Sequence, residues 1–198
     1  MKPELRKELR EKRRSLNLAE HALRSNLAAS AITRMPAFKA GARVAIYLPF
    51  DRETNTAALL VAARRRGVRI FVPVVTDVRH RRISFLPLSG KTRRGVFGIS
   101  VPHRRGRPTA PRWLDLIVVP LVGIDGAGRR LGMGGGFYDR ALAFRRERRE
   151  WAGPHLVGLC FDCQRARTVF ADSWDVRLDT VATESGLEHF SHGTQTGS

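Results

Sequence analysis

From Arg43 onward, short apolar runs alternate with helical patterns, and this alternation constrains the fold more than any other feature of the sequence. Helical patterns occupy residues 55–66 and about 137–150. Apolar runs typical of strands lie at 44–49, 68–73, 82–86, 115–119 and 156–161, with a shorter one near 176–182. A strand, a helix and a second strand in this order form a βαβ unit, whose strands pair in parallel. The sequence therefore predicts an α/β fold with a mostly parallel central sheet.

Two helices are predicted before this alternating part. The first covers residues 3–16, where leucines at helical spacing follow Pro3, a residue suited to the first turn of a helix. The second begins at the capping-box pattern Asn17-Leu18-Ala19-Glu20 and ends at Pro36. We therefore expect a helical hairpin at the N terminus.

The chain is long enough to form one domain with its own core. At 198 residues, folding should bury roughly 70% of the surface of the unfolded chain, so a disulfide or a structural metal is not needed. We expect a single domain over residues 1–190 and a frayed tail at 191–198. The longest apolar run, Leu116 to Val122, has seven residues, whereas a membrane-spanning helix needs roughly 20. Since Met1 is followed by charged residues and not by the apolar stretch of a signal peptide, we expect a cytoplasmic protein without a membrane partner.

The chain is strongly basic. Its 36 Lys and Arg residues outnumber 18 Asp and Glu residues, and the formal net charge is +18. Nucleic-acid interfaces usually cluster cations and interleave them with aromatic side chains, whereas only the runs 104–107 and 145–149 come close here. Specific nucleic-acid binding is therefore not favoured. A field of this sign would also attract small polyanionic substrates such as nucleotides.

The segment from Gly126 to Arg140 carries the strongest functional signal. Six of the eleven residues 126–136 are glycine, and the segment follows an apolar strand and opens a helix. Glycine allows positive φ angles and close approach to a ligand, and amide N–H groups at the start of a helix bind anions. The segment therefore predicts a phosphate-binding loop. It is not the dinucleotide fingerprint GxGxxG, because Phe137 or Asp139 stands where the third glycine is required.

Charged residues elsewhere are weaker candidates, each with a structural alternative. Glu53 follows the first predicted strand, where open α/β sheets bind ligands, but it could also belong to a helix cap. Asp139 could share a magnesium ion with Asp175 or Asp179, which could instead be surface acids. One stripe of the first helix carries like charges, which repel unless they are solvated or bound to a polyphosphate; its members are Lys2, Arg6, Arg10 and Arg13.

The cysteines and histidines give no independent site. Cys160 and Cys163 form a CxxC pattern, but Cys160 falls in a predicted buried strand, where cysteine acts as a small apolar residue and not as a redox group. The six histidines show neither HExxH nor a Cys/His pairing at zinc spacing. We therefore predict no transition-metal site.

Together these segments resemble the 5-formyltetrahydrofolate cyclo-ligase family, also called methenyltetrahydrofolate synthetases. The resemblance reaches to about residue 185 and is most specific over Arg130–Arg140. The other matching segments are Lys2-x-x-x-Arg6, Tyr47-Leu48-Pro49-Phe50 with Glu53 and Thr56, Val119-Pro120, Val157-Gly158-Leu159, and Trp174-Asp175. The resemblance implies a three-layer α/β sandwich. It also implies that ATP and Mg²⁺ convert 5-formyltetrahydrofolate into 5,10-methenyltetrahydrofolate, ADP and phosphate.

The resemblance further implies roles for individual residues. Catalysis would involve Arg130, Asp139 and Glu53, and magnesium would bind Asp139 and Asp175. Lys2 and Arg6 would hold the ATP phosphates. The rest of the nucleotide would contact Arg130, Leu131, Gly132, Met133, Gly134, Gly135, Gly136, Phe137 and Tyr138. The folate would contact Leu48, Glu53, Met133, Gly134, Gly135, Gly136 and Phe137, and its glutamate tail, of a length that the sequence leaves open, would attract arginines.

The chain departs from the family pattern at two positions. Trp174 stands where many members have histidine, which leaves Asp179 as an alternative to Asp175 at the metal. Gly135 stands where some members have lysine, so Arg130 or Lys2 would have to supply that charge. Two other functions remain as alternatives: another ATP-dependent kinase or ligase of small molecules, and a basic nucleic-acid-binding module.

Overall fold

The fold is that of a computed structural model, which describes residues 1–88, 90, 92–102, 106–147 and 153–191. The predicted tail lies outside the described residues except for Ser191, and the basic runs 104–107 and 145–149 lie partly outside them. Within the described part of the chain, no helix is both long and apolar enough to cross a bilayer.

Five α-helices and eleven strands make up the described structure. The helices are α1 (Lys2–Ser15), α2 (Leu18–Thr33), α3 (Ala57–Arg65), α4 (Phe137–Ala141) and α5 (Phe144–Glu147). The first six strands are β1 (Arg43–Ala45), β2 (Arg69–Asp77), β3 (Arg82–Pro87), β4 (Thr92–Arg94), β5 (Ser100–Pro102) and β6 (Leu116–Pro120). The others are β7 (Gly123–Ile124), β8 (Arg130–Leu131), β9 (His155–Leu159), β10 (Thr180–Thr183) and β11 (Gly186–His189).

Seven strands form the central sheet in the order β11-β10-β9-β6-β1-β2-β3. The five inner strands pair in parallel, and the edge strands β11 and β3 are antiparallel to their neighbours. The predicted βαβ unit is β1, α3 and β2. The predicted mostly parallel sheet is therefore confirmed. Both faces of the inner strands β6, β9 and β10 are covered, so almost all of their residues are buried, and β6 is apolar along its whole length.

Helices cover both faces of the sheet and make it the middle of three layers. On one face, Ile32 of α2 and Leu59 of α3 pack against Val118 of β6 in one apolar cluster. On the other face, Leu142 after α4 packs with Ile117 in a second cluster. Side chains alternate between the two faces along each strand, so neighbouring residues of β6 belong to different clusters.

The two N-terminal helices are present, but they pack against different parts of the fold. The predicted capping box starts α2, because Asn17 Oδ1 accepts from Glu20 N at 2.9 Å and Glu20 Oε2 accepts from Asn17 N at 3.0 Å. Helix α2 lies on the sheet, whereas Leu9 of α1 packs with Val122 and Leu131 in a separate small cluster. Because these two residues follow the carboxyl end of β6, α1 lies over that edge of the sheet.

Some elements differ from the sequence prediction. Strand β2 extends to Asp77, well past the end of β1, and forms a hairpin with β3. Its last residues belong to the strand because they pair with β3. The predicted helix 137–150 is interrupted by a turn between α4 and α5, and its residues 148–150 lie outside the described part. The hairpins β4–β5 and β7–β8 and strand β11 were not predicted, because short strands give little periodicity.

Candidate active site

The candidate site lies where the connections of the sheet change direction. The chain leaves β1 toward β2 on one side, and it leaves β6 toward β9 on the other. In open α/β sheets, ligands bind at the carboxyl ends of the strands at such a point. The two connections that start there are residues 46–56, which contain Glu53, and residues 121–136, which contain the glycine-rich loop.

The glycine-rich loop has the backbone conformation that the sequence predicted. Gly134 has φ +96° and Gly136 has φ +64°, angles that disfavour residues with a Cβ atom. Gly136 is the N-cap residue, directly before α4. Two guanidinium groups approach the loop: Arg6 Nε donates to Gly132 O at 2.8 Å, and Arg81 Nη1 lies 3.7 Å from a Cβ built on Gly136. The loop is therefore flanked by two cations.

Arg130 and Asp139, at the two ends of this loop, are joined by an ion pair. Arg130 Nη2 donates to Asp139 Oδ1 at 2.7 Å, and Arg130 Nη1 donates to Val176 O at 2.7 Å. The same Asp139 oxygen accepts from Val176 N at 3.1 Å. These bonds connect the loop to the segment that contains Asp175. Asp139 Oδ2 makes no hydrogen bond to any described residue, so one oxygen of this carboxylate is available.

Lys2 lies beside the second candidate metal ligand. Its ammonium group pairs with Asp172 at 2.5 Å and lies 3.6 Å from Asp175 Oδ2. Asp179, the alternative ligand, is held by a bidentate pair with Arg145 at 2.7 and 2.8 Å and by Leu156 N. The geometry therefore favours Asp175 over Asp179. Within the described residues, no group of three His, Cys, Asp or Glu side chains is arranged to hold a metal by itself.

Glu53 is held on the other side of the site. Its Oε2 accepts from Phe50 N at 3.0 Å. Burial raises the pKa of Glu53, whereas the hydrogen bond from Phe50 and the charge of Arg13 oppose this rise. Tyr138 lies within electrostatic reach of the same carboxylate, and burial followed by the charge of Glu53 raises the pKa of its hydroxyl. Tyr138 therefore remains a neutral hydrogen-bond donor at physiological pH.

Buried polar atoms without hydrogen-bond partners are concentrated around Glu53. In the described residues, four buried side-chain atoms have no such partner: Arg13 Nε, Arg52 Nε, Thr54 Oγ1 and Tyr138 Oη. Arg52 and Thr54 flank Glu53 in the chain, and Arg13 and Tyr138 are electrostatically coupled to it. Buried polar groups are rarely left unpaired, so this concentration is typical of a place where a ligand or water completes the bonding.

Two residues of this region were missed by sequence reasoning. Asp51 accepts from Arg10 Nη2 at 2.7 Å and from Arg14 Nη2 at 2.5 Å, and its carbonyl accepts from Arg13 Nη2 at 2.6 Å. Arg81 reaches the glycine-rich loop from the turn between β2 and β3. The basic stripe of α1 is thus divided, since only its N-terminal cations face the loop and the late acids. No sequence motif marks Asp51 or Arg81, because their partners are distant in the chain.

The remaining predicted residues lie on the same loops. Leu48 is half-buried just after Tyr47, Met133 is exposed, and Phe137 is partly buried at the start of α4. Cys160 belongs to an apolar cluster, both cysteines are free thiols, and burial raises the pKa of Cys160, as expected for a structural residue.

Comparisons with known proteins agree on one family. The model of the 5-formyltetrahydrofolate cyclo-ligase family matches residues 1–184. The Escherichia coli K12 protein named 5-formyltetrahydrofolate cyclo-ligase is 31% identical over 182 residues, covering 89% of this chain and 97% of the relative. The Haemophilus influenzae protein of that name is 31% identical over 181 residues, covering 88% and 93%. The NMR structure of the Aquifex aeolicus 5,10-methenyltetrahydrofolate synthetase has a TM-score of 0.80 at 29% identity and covers 100% of this chain and 96% of that one. This chain therefore belongs to the 5-formyltetrahydrofolate cyclo-ligase family.

Proposed function

We propose that this enzyme closes the one-carbon ring of 5-formyltetrahydrofolate to give 5,10-methenyltetrahydrofolate, with ATP as phosphoryl donor and Mg²⁺ as the metal. One observation carries the proposal: a phosphate-binding type of loop flanked by Arg6 and Arg81 shares its edge of the sheet with the loop that holds the half-buried Glu53. The first element suits a polyphosphate and the second suits a polar ring. Membership of the cyclo-ligase family supports the reaction and the use of ATP.

The nucleotide side of the site needs no covalent catalyst. Phosphoryl transfer depends mainly on positioning the phosphates and neutralising their charge. Lys2 and Arg6 supply cations, the glycine-rich loop supplies amide N–H groups, and the Arg130–Asp139 pair fixes the two ends of that loop. Arg130 is buried and bound on both sides, so its role is to hold the loop in shape and to add positive charge beneath it.

The carboxylates present fit a magnesium ion. Magnesium in nucleotide sites usually takes one or two protein carboxylates and completes its shell with phosphate oxygens and water. Asp139, through its free Oδ2, and Asp175, which faces Lys2, would hold it. The ion would neutralise phosphate charge there.

On the folate side, Glu53 and Tyr138 bind and orient the pterin. The Glu53 carboxylate accepts hydrogen bonds from ring N–H groups, and the neutral Tyr138 hydroxyl donates to a ring or formyl oxygen, which satisfies its unpaired proton. Leu48, Met133 and Phe137 supply apolar contact nearby. This placement moves Tyr138 from the nucleotide side, where the family resemblance put it, to the folate side.

The reaction then needs only alignment. The oxygen of the formyl group that N5 carries attacks the γ-phosphorus of ATP, and ADP leaves. The N10 nitrogen attacks the activated formyl carbon and loses its proton, and the C–O bond breaks as phosphate departs. The protein contributes no nucleophile. Its task is to hold the formyl oxygen in line with the γ-phosphate, which the neighbouring positions of the two loops allow.

An assay with all components, repeated with each component left out in turn, tests this function. Purified protein with ATP, MgCl₂ and 5-formyltetrahydrofolate should produce the near-ultraviolet absorbance of the methenyl product together with ADP, and omission of any one component should abolish it. ADP formation that is equal with and without the folate would instead identify a different kinase or ligase.

A further inference from the structure

A cavity lies at the β4–β5 hairpin. Its volume is about 300 Å³, the lower end of the range in which proteins bind small molecules. One wall is the segment Pro73–Val75 of β2, beyond the end of β1. The other wall is the hairpin, with Val96, Ile99 and Val101. We call this space the hairpin cavity.

The hairpin cavity adjoins the candidate site but is not part of its nucleotide side. A Cβ built on Gly98, in the turn of the hairpin, would lie 4.0 Å from Phe50 Cε2. Phe50 in turn donates its backbone N–H to Glu53. The lining includes neither the glycine-rich loop nor Arg6. A molecule bound at Glu53 could therefore extend past Phe50 into the cavity.

The described lining of the cavity is apolar, with one cation facing it and no acid. Arg93 pairs with Val101 in the hairpin, so the two side chains share the face that lines the cavity, whereas Arg94 pairs with Ser100 on the other face. Arg93 forms no ion pair with a described residue, in contrast to Arg130 and Arg145, whose carboxylate partners are close. A cation next to an apolar wall suits a ligand with a flat apolar part followed by a carboxylate.

We propose that the hairpin cavity binds the p-aminobenzoyl-glutamate arm of the folate, with Arg93 pairing with a glutamate carboxylate. The inference rests on the proposed function, in which Glu53 and Tyr138 hold the pterin. The benzoyl ring lies against Val74 and Ile99, and the glutamate reaches Arg93. This arginine sets affinity for the tail and takes no part in phosphoryl transfer.

The experiment compares two substrates that differ only in the tail. One is 5-formyltetrahydrofolate, and the other is 5-formyltetrahydropteroate, which lacks the glutamate. With R93A, KM for the folate should rise about tenfold, the effect of losing one charge-assisted hydrogen bond, whereas R94A, on the other face of the same strand, should leave it unchanged. KM for the pteroate, KM for ATP and kcat should stay within about twofold of wild type. The matched control is R64A/R65A, two exposed arginines at the far end of α3, for which neither substrate should show a change.

An equal rise of KM for both substrates, or no rise for either, would overturn the binding of the tail in the hairpin cavity. If wild-type protein forms no methenyl product from either substrate, the proposed function itself is overturned. If R93A does not fold, R93Q, which keeps most of the side chain and loses the charge, takes its place. The preference for the folate over the pteroate should shrink between low and high salt, because salt screens the carboxylate–arginine attraction. A preference that does not change with salt contradicts the assignment.

Discussion

At the scale of single residues, the site separates two kinds of carboxylate. Asp51 is bound by three arginines, and Asp179 is bound by both terminal nitrogens of Arg145 and by Leu156 N, so both act as fixed parts of the structure. In Glu53 and Asp139, by contrast, only one carboxylate oxygen accepts a hydrogen bond from a described residue. The other oxygen can bind a ligand. A carboxylate of the first kind stabilises a loop, and one of the second kind can bind a substrate or a metal.

The Glu53→Gln variant tests the folate contact. The glutamine keeps the shape but loses the charge, so KM for 5-formyltetrahydrofolate should rise at least about tenfold while KM for ATP changes little. Because burial raises the pKa of Glu53, the wild-type carboxylate is lost as pH falls through a value above 4.5, the ordinary pKa. The acidic limb of kcat/KM should therefore disappear in the variant. The control Glu188→Gln, at a half-buried glutamate that pairs with Arg165, should keep the limb. A limb unchanged in Glu53→Gln would show that another group causes it.

The Asp139→Asn variant tests the metal contact. Asparagine can still accept from Arg130 and Val176 N through its amide oxygen, so the loop should stay folded. The charge that would face Mg²⁺ is lost, and kcat should fall about a hundredfold or more, as for other losses of charge stabilisation in a transition state. The saturation curve for MgCl₂ should also shift to higher concentration. Asp115→Asn, whose carboxylate accepts from Arg43 N at the opposite edge of the sheet, is the control that should stay active.

At the scale of elements, α1 connects the two halves of the site. Near its N terminus, Arg6 binds the glycine-rich loop at Gly132. Near its C terminus, three arginines converge on Asp51, which has φ +48° and stands two residues before Glu53. Arg13 is only 1% exposed, and Leu9 fixes the middle of the helix on Val122 and Leu131. A shift of this helix would therefore move the nucleotide side and the folate side together.

The Asp51→Asn variant tests this connection. Hydrogen bonds from Arg14 and Arg10 lower the pKa of Asp51 despite the opposing effect of its partial burial. A carboxylate with a lowered pKa stabilises the fold above its ordinary value of 3.8, and the contribution disappears as pH falls through the lowered value. At pH 7 the variant should lose about 1–2 kcal/mol, or roughly 2–8 °C in Tm.

The KM values of Asp51→Asn show whether α1 links the two loops or whether the variant is only less stable. KM for ATP and KM for the folate should both rise in Asp51→Asn, because one helix holds both loops, and the difference in Tm from wild type should shrink near pH 3. Asp115→Asn again provides the control. A rise confined to the folate would show that Asp51 acts on its own loop and not through α1.

At the scale of the whole molecule, the charge is unbalanced. With 36 Lys and Arg residues and 18 Asp and Glu residues, the chain carries 18 positive charges in excess. Repulsion among them opposes the compact state, and their field draws anions toward the protein. This surplus favours binding of ATP and of the folate without requiring a nucleic-acid partner.

The surplus charge predicts an unusual response to salt. Raising NaCl from about 20 to 300 mM shortens the Debye length severalfold. Screening should therefore raise Tm, since the repulsion exceeds the attraction of the exposed ion pairs, and it should raise KM for ATP while kcat stays constant. Scanning calorimetry and initial rates measure both, and sucrose at equal osmolality is the control. A Tm that falls steadily with salt would show that ion pairs outweigh the repulsion.

The sequence by itself determined the class of fold and the identity of the main loop. Periodicity locates the buried strands because side chains alternate on a strand and repeat every 3.6 residues on a helix, and the Asn17 capping box and Gly136 are local signals that need no partner elsewhere. Only the tertiary structure decided which charges meet. Asp51 and Arg10 are 41 positions apart, Arg145 and Asp179 are 34 apart, and Lys2 and Asp172 are 170 apart. A carboxylate looks the same in the sequence whether an arginine binds it or a ligand does, because the difference arises from packing of distant segments, which alone fixes burial and the nearest opposite charge.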